Sequence, residues 1–243
     1  MNPFNPQELI PQLSIDSVIF GYKEKELKVL VSQLNFQKKC IHTLPGGFIK
    51  QEESINEAAG RILKDRTGLT NIYLEQFKTF GLVNRTNKAV LELLKSQDLL
   101  NPESSPLGPF DIDWISKRFV SIGYYALVDI NKVEPAKSDV DESADWIGID
   151  KLPEMIMDHN GIVTEALNSL RKNLDEKLIG FNLLPETFTM RELKELYEAV
   201  YDKPFARNNF QKKILSLNVL ERLEKKFTGA ANKAPFLYRF INH

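Results

Sequence analysis

Three carboxylates in one short stretch, Glu53, Glu57 and Asp65, are placed to do chemistry. Carboxylate oxygens are what a hard divalent cation requires, and a bound cation can polarise a phosphoryl oxygen or activate water. The intervening residues work against that use. Ile62 supplies no ligand atom, and Arg66 puts a permanent cation beside Asp65. At ~4 Å and an effective dielectric near 20, one unit charge repels another by about 4 kcal/mol, and a divalent ion by twice that. Glu57, Arg61 and Asp65 also stand at i, i+4 and i+8, a spacing that allows a salt-bridged line along one helix face instead. Arg66 itself has two readings. It can hold a phosphate directly, or it can be an arginine favoured by a helix C-terminus.

The elements around these residues follow from pattern. Ile55, Ala59, Ile62 and Leu63 form one apolar stripe, so 54–67 is expected to be a helix capped by Ser54 and ended by Gly68. Before it, 13–22 and 26–34 alternate as a strand pair with Lys23–Lys25 in the turn, and 43–50 reads as a loop and short strand broken by Pro45, Gly46 and Gly47. After it, 72–83, 118–130 and 144–149 read as strands and 151–173 as mostly helical. Between Arg85 and Arg118, segment 86–113 reads as an amphipathic helix followed by a loop.

Residues 46–69 resemble the Nudix box, with Gly47, Glu53, Arg61, Leu63, Gly68 and Leu69 in register without a gap. The resemblance implies an α/β fold, a Nudix-like α/β/α sandwich, in an effector-binding domain spanning 1–176. It also implies that the three later glutamates of active members, which bind Mg²⁺ or Mn²⁺ beside a diphosphate, correspond to Ile62, Asp65 and Arg66. No catalytic residue, cofactor or metal is therefore expected. The alternative is a Nudix hydrolase of a nucleoside diphosphate derivative such as ADP-ribose, working through Glu53, Glu57 and Asp65.

The pattern changes near 177–187. Residues 184–243 carry 11 Lys/Arg against 7 Asp/Glu, whereas residues 1–183 carry 21 against 26. A basic module on an acidic body suits a polyanionic partner. Helices are expected at 189–201, 206–216 and 217–225, then a turn at 226–235 and a strand at 236–241, the order of a winged helix-turn-helix over 183–243. Thr189 and Glu192 have capping-box spacing. The helix at 206–216 is expected to bury Phe210, Ile214 and Leu217. That leaves Arg207, Asn208, Gln211, Lys212 and Lys213 for base edges and phosphates. Lys226, Asn232 and Lys233 suit a wing, and Thr189 is counted with this DNA-facing set.

Residues 182–240 are similar to the DNA-binding half of the Nudix-related transcriptional regulators, through NLLPETFTMRELKELYEAVYDKP, RNNFQKKIL and APFLYRF. That family includes ADP-ribose-responsive repressors and an arabinose-responsive regulator. The stretches SIGYYALVDI, LPEMIMDH and IGFNLLPETFT look closer to the arabinose type. The resemblance implies a homodimer on double-stranded operator DNA and a sugar or ADP-ribose-like effector. Gly46, Gly47, Phe48, Arg66, Arg85, Arg118 and Tyr124 are the candidate effector contacts. Segment 86–113 departs from the short turn of the relatives and could form a lid or a dimer contact. There is no apolar run long enough to span a membrane, no signal-like N-terminus, and a single cysteine, Cys40, which reads as a small packed side chain or a reactive thiol. A cytoplasmic location, with no membrane partner, is the expectation.

Overall fold

The computed structural model describes residues 6–36, 39–83, 85, 117–133, 135–136, 143–176, 179–226 and 234–241. The expected insertion at 86–113 and the wing residues Asn232 and Lys233 lie outside them.

The strand pair expected at the N-terminus is longer than its alternation suggested. β1 (Leu9–Lys23) pairs antiparallel with β2 (Glu26–Phe36), with Lys23 opposite Glu26. The turn is therefore two residues, Glu24 and Lys25, both at positive φ, the geometry whose twist matches that of the strands it joins. β3 (Lys39–Thr43) extends the sheet from β2, and β4 (Gly46–Lys50) returns against β1. β5 (Tyr73–Phe80), β6 (Val120–Val128) and β7 (Ser143–Gly148) complete it, in the order β3-β2-β1-β6-β5 with β7 on β2. β1 and β6 run parallel from Leu13 opposite Val120 to Gly21 opposite Val128.

A helix covers each face of this sheet. α1 (Ile55–Thr67) packs on one, where Ile15 and Ile19 of β1 and Tyr124, Ala126 and Val128 of β6 meet Ala59, Ile62 and Leu63. α2 (His159–Glu176) packs on the other, where Val18, Phe20, Val29, Val31, Tyr125 and Leu127 meet Ile162, Ala166 and Leu170. Successive residues of a strand point to opposite faces, so a sheet covered twice is apolar at nearly every position. This is the expected α/β/α sandwich.

Two elements differ from the sequence-based expectation. Helix was expected from 151, but α2 begins at His159. The preceding backbone is held otherwise. Met155 bridges His42, the Ile156 amide donates to the His42 carbonyl, and the Asn160 side chain bonds both Met155 N–H and the Pro153 carbonyl. The helix expected at 217–225 is instead β9 (Leu220–Lys225). Asn218, at φ 54, reverses the chain after α4 (Arg207–Ser216), and β9 then pairs with β10 (Phe236–Phe240). LERLEK has helix-forming residues, but ladder pairing with β10 and the packing of half-buried Leu220 against the core outweigh that weak local preference.

The C-terminal module therefore runs β8 (Phe188–Thr189), α3 (Met190–Tyr201), α4, β9, β10, with sheet order β8-β10-β9. This is a winged helix-turn-helix. Its apolar side chains Leu193, Leu196, Tyr197, Val200, Phe210 and Ile214 belong to the same buried cluster as the α2 face of the large sheet. Leu217, expected in that core, is 40% exposed because it caps α4 rather than continuing its buried stripe. Among the described residues no helix is long and apolar enough to cross a membrane.

Candidate functional site

The helix that opened the sequence analysis is built as its local signals require. Ser54 accepts the Glu57 amide while Glu57 accepts the Ser54 amide, closing a capping box. Gly68 ends the helix in the left-handed conformation at φ 71. These contacts reassign the carboxylates. Glu57 is occupied at the cap, and its hydrogen bonds there hold its carboxyl below the usual range. Glu53 receives Arg61 through two bonds, at 2.6 and 2.9 Å, and the Lys50 amide at 2.9 Å. Arg61 reaches Asp65 only at 3.8 Å. The expected line of Glu57, Arg61 and Asp65 is therefore a pairing of Glu53 with Arg61 beside an exposed Asp65.

Two of the three residues at the metal-binding positions of the box, Ile62 and Arg66, do not fit a divalent cation. Ile62 is buried among Ile15, Ile49 and Ala58, and its Cδ1 stands 3.0 Å from where a Cβ on Gly47 would be. Arg66 is largely buried, and its Nη2 lies 3.5 Å from the Gly46 carbonyl oxygen. Burial pushes its guanidinium below its ordinary value, with Asp65 opposing.

Arg66 faces a cleft of about 200 Å³ whose wall also includes Gly46, Gly47, Phe48 and Arg85. Five of the seven candidate effector contacts are thus brought together. Two are not. Arg118 is exposed and donates to the Gly81 carbonyl at 2.8 Å. Tyr124 lies under α1, its hydroxyl donating to Asn56 Oδ1 at 2.7 Å. The reason for Tyr124 is register, since its side chain points to the α1 face of β6.

The cleft wall also includes residues that motif reading missed, Asp16, Phe119 and His159, grouped around the expected Arg85. Arg85 is buried between two carboxylates, with Nη2 at 2.8 Å from Asp16 Oδ2 and Nε at 3.0 Å from Asp158 Oδ1. Ser121 donates to the same Asp16 oxygen at 2.6 Å. His159 Nδ1 accepts the Leu44 amide at 2.9 Å, so the neutral ring carries its proton on Nε2, which faces Asp16 Oδ1 at 3.7 Å. Phe48 and Phe119 add an aromatic wall, with ring centroids 5.7 Å apart. Asp16 left one signal in the sequence, a charge inside an otherwise apolar strand.

The second candidate surface is α4. Tyr197, Phe205 and Phe210 pack edge to face beneath it, and Phe210 and Ile214 anchor its inner side. Arg207, Asn208, Lys212 and Lys213 are exposed and Gln211 is half-buried. Arg207 occupies the first helical position, the end from which recognition helices contact bases. Thr189 does not join this surface. It is buried, and its hydroxyl closes the α3 capping box with Glu192. Lys226, at the base of the wing, pairs with Glu192 at 3.2 Å.

Comparison with known proteins places both halves. Residues 180–240 match the NrtR DNA-binding winged helix domain family. An ADPR-responsive transcriptional repressor of Acinetobacter baylyi is 25% identical over 236 residues, covering 95% of this chain and 82% of the repressor. The crystal structure of Shewanella oneidensis NrtR superposes with a TM-score of 0.69 at 24% identity, over 95% of this chain and 94% of that one. The same protein complexed with a 27mer DNA gives 0.70 at 22% identity, over the same shares of the two chains. Residues 180–240 thus form a winged helix of the NrtR type, and the whole chain shares the fold of NrtR, a Nudix-like domain followed by that winged helix.

Proposed function

We propose that this protein is a transcriptional regulator whose Nudix-like cleft binds an ADP-ribose-like effector without hydrolysing it, and whose winged helix binds operator DNA as a homodimer. The carrying observation is Arg66. The family's metal chemistry needs a carboxylate there, and a cation facing the cleft suits the diphosphate itself. A phosphorylated ligand fits Arg66 at the cleft wall better than a free pentose, which offers it no charge. The Acinetobacter repressor's response to ADPR supports the same choice. On the DNA side, α4 would enter the major groove with Arg207, Asn208 and Gln211 toward base edges and Lys212 and Lys213 toward phosphates.

Fluorescence anisotropy on DNA from the chain's own upstream region tests this. Specific binding should weaken steeply with salt, and Arg207→Ala should cost about 1–3 kcal/mol at the matching base pair. ADP-ribose, not arabinose, should change the affinity. Turnover of ADP-ribose with Mg²⁺ or Mn²⁺ that disappears in Glu57→Gln would overturn the binding-only reading.

A further inference from the structure

α2 starts at the cleft and reaches the end of α3, the helix that leads into α4. At its start, the Asp158 carbonyl accepts the Ile162 amide at 2.9 Å, while the Asp158 carboxylate takes Arg85 Nε at 3.0 and 3.1 Å. His159, the next residue, is in the cleft wall. About three turns later, Arg171 Nε donates to the Val200 carbonyl at 2.7 Å, and the Tyr201 hydroxyl donates to the Arg171 carbonyl at 2.8 Å. Val200 and Tyr201 end α3, and Asp202, in the left-handed conformation, turns the chain toward α4. The last carbonyls of a helix have no partner within it. Arg171 satisfies one of them from another element, and so holds the turn of the helix-turn-helix.

Between these ends α2 has no slack. Ile162, Ala166 and Leu170 are wholly buried, and close-packed interiors pass displacement on rather than absorb it. At 18 residues the helix is about 27 Å long. The two carboxylates on Arg85 differ in what release would mean for them. Asp16 has 10% side-chain exposure and keeps Ser121, whereas Asp158 has 27% and can reach water. Asp158 is therefore the partner that Arg85 can give up.

We propose that α2 is the transmission element between the cleft and the helix-turn-helix: an anionic ligand that takes Arg85 frees Asp158, the first turn of α2 relaxes, and Arg171 carries the displacement to the α3–α4 turn. The identity of the trigger rests on the effector reading of the cleft. The mechanical link is a property of the chain alone, so the two can fail separately.

Hydrogen–deuterium exchange on the full chain tests the link without DNA or ligand. Asp158→Asn should speed exchange of the amides in 199–206 at least ~3-fold, although the substitution lies in another element. Arg171→Gln should do the same, and the double variant should be no faster than either single. Exchange altered only in 156–162, or additive effects in the double variant, would overturn the proposal. Coupling is reciprocal, so the milder Arg171→Lys should alter exchange at 156–162. That arm carries the test if Asp158→Asn loosens β6 as well, and its failure also overturns the link. Adding ADP-ribose to the unsubstituted protein should act on 199–206 as Asp158→Asn does. An Asp158→Asn effect with no ADP-ribose effect supports the link and overturns ADP-ribose as its trigger.

Discussion

Arg66 and His159 show how one side chain sets the chemistry of the cleft. Arg66 stands where a carboxylate would hold a cation, and in the proposed function it holds the ligand's diphosphate instead. A charge-assisted hydrogen bond contributes ~1.5–3 kcal/mol, so Arg66→Ala should weaken ADP-ribose binding about 10- to 100-fold by calorimetry. Unchanged affinity would remove Arg66 from the site. His159 makes a separate prediction about pH. Burial holds its imidazole below the ordinary value, Asp16 and Asp158 oppose this, and Arg85 adds to it. The unfolded chain therefore binds that proton more readily than the folded one. Stability is unaffected above the unfolded value near 6.5 and falls as pH drops through it, by at most ~1.4 kcal/mol per unit. Thermal unfolding between pH 8 and 5.5 should show this slope, and His159→Asn, which keeps an acceptor for the Leu44 amide, should flatten it.

At the scale of elements, the β1–β4 pairing shapes the cleft rim. Gly46 lies opposite Asp16, and a Cβ there would stand 2.7 Å from the Ile15 carbonyl oxygen. Both groups are backbone, so neither can move aside without loosening the pair that carries Asp16. Gly46→Ala should destabilise by about 1–3 kcal/mol in urea unfolding. Gly60→Ala is the contrast. It sits inside α1 with nothing within 4 Å of the added Cβ, and should stabilise by about 0.5–1 kcal/mol. Equal effects at the two positions would mean that the close approach at Gly46 is relieved at no cost.

At the scale of the whole molecule, the Nudix-like and winged-helix halves share a core. Leu183, Leu184, Leu193, Leu196 and Tyr197 lie in one buried cluster with Val29, Val31 and the inner face of α2. The tip of the β1–β2 hairpin adds an ion pair, Lys25 to Glu195 at 3.1 Å. Tyr22 beside it is half-buried, and that desolvation first, then the charges of Glu195, Glu192 and Glu198, keep its hydroxyl protonated well above the usual range. The chain should therefore unfold in one calorimetric transition with equal calorimetric and van't Hoff enthalpies. Two resolved transitions would show that the shared cluster is too weak to couple the halves, and α2 would then be a poor transmitter.

Short-range features of this protein were readable from the chain. Ser54, Glu57 and Gly68 bound α1, and Thr189 and Glu192 start α3, because a cap is made by residues a few positions apart. The strand and helix pattern led to a mixed sheet with flanking helices, and the resemblance carried by the unbroken spacing from Gly47 to Leu69 implied the sandwich. What lay beyond reach was everything assembled from distant positions. Arg85 meets Asp16 across 69 residues and Asp158 across 73, and His159 meets Leu44 across 115. No local rule links those residues. Whether LERLEK became helix or strand was likewise decided by β10, which offers it a ladder. Local preferences differ by tenths of a kcal/mol per residue, and pairing and burial exceed them. The loss of the metal ligands was thus visible at Ile62 and Arg66. The buried ion-pair network that shares the cleft with Arg66 exists only once the sheet and α2 close around it.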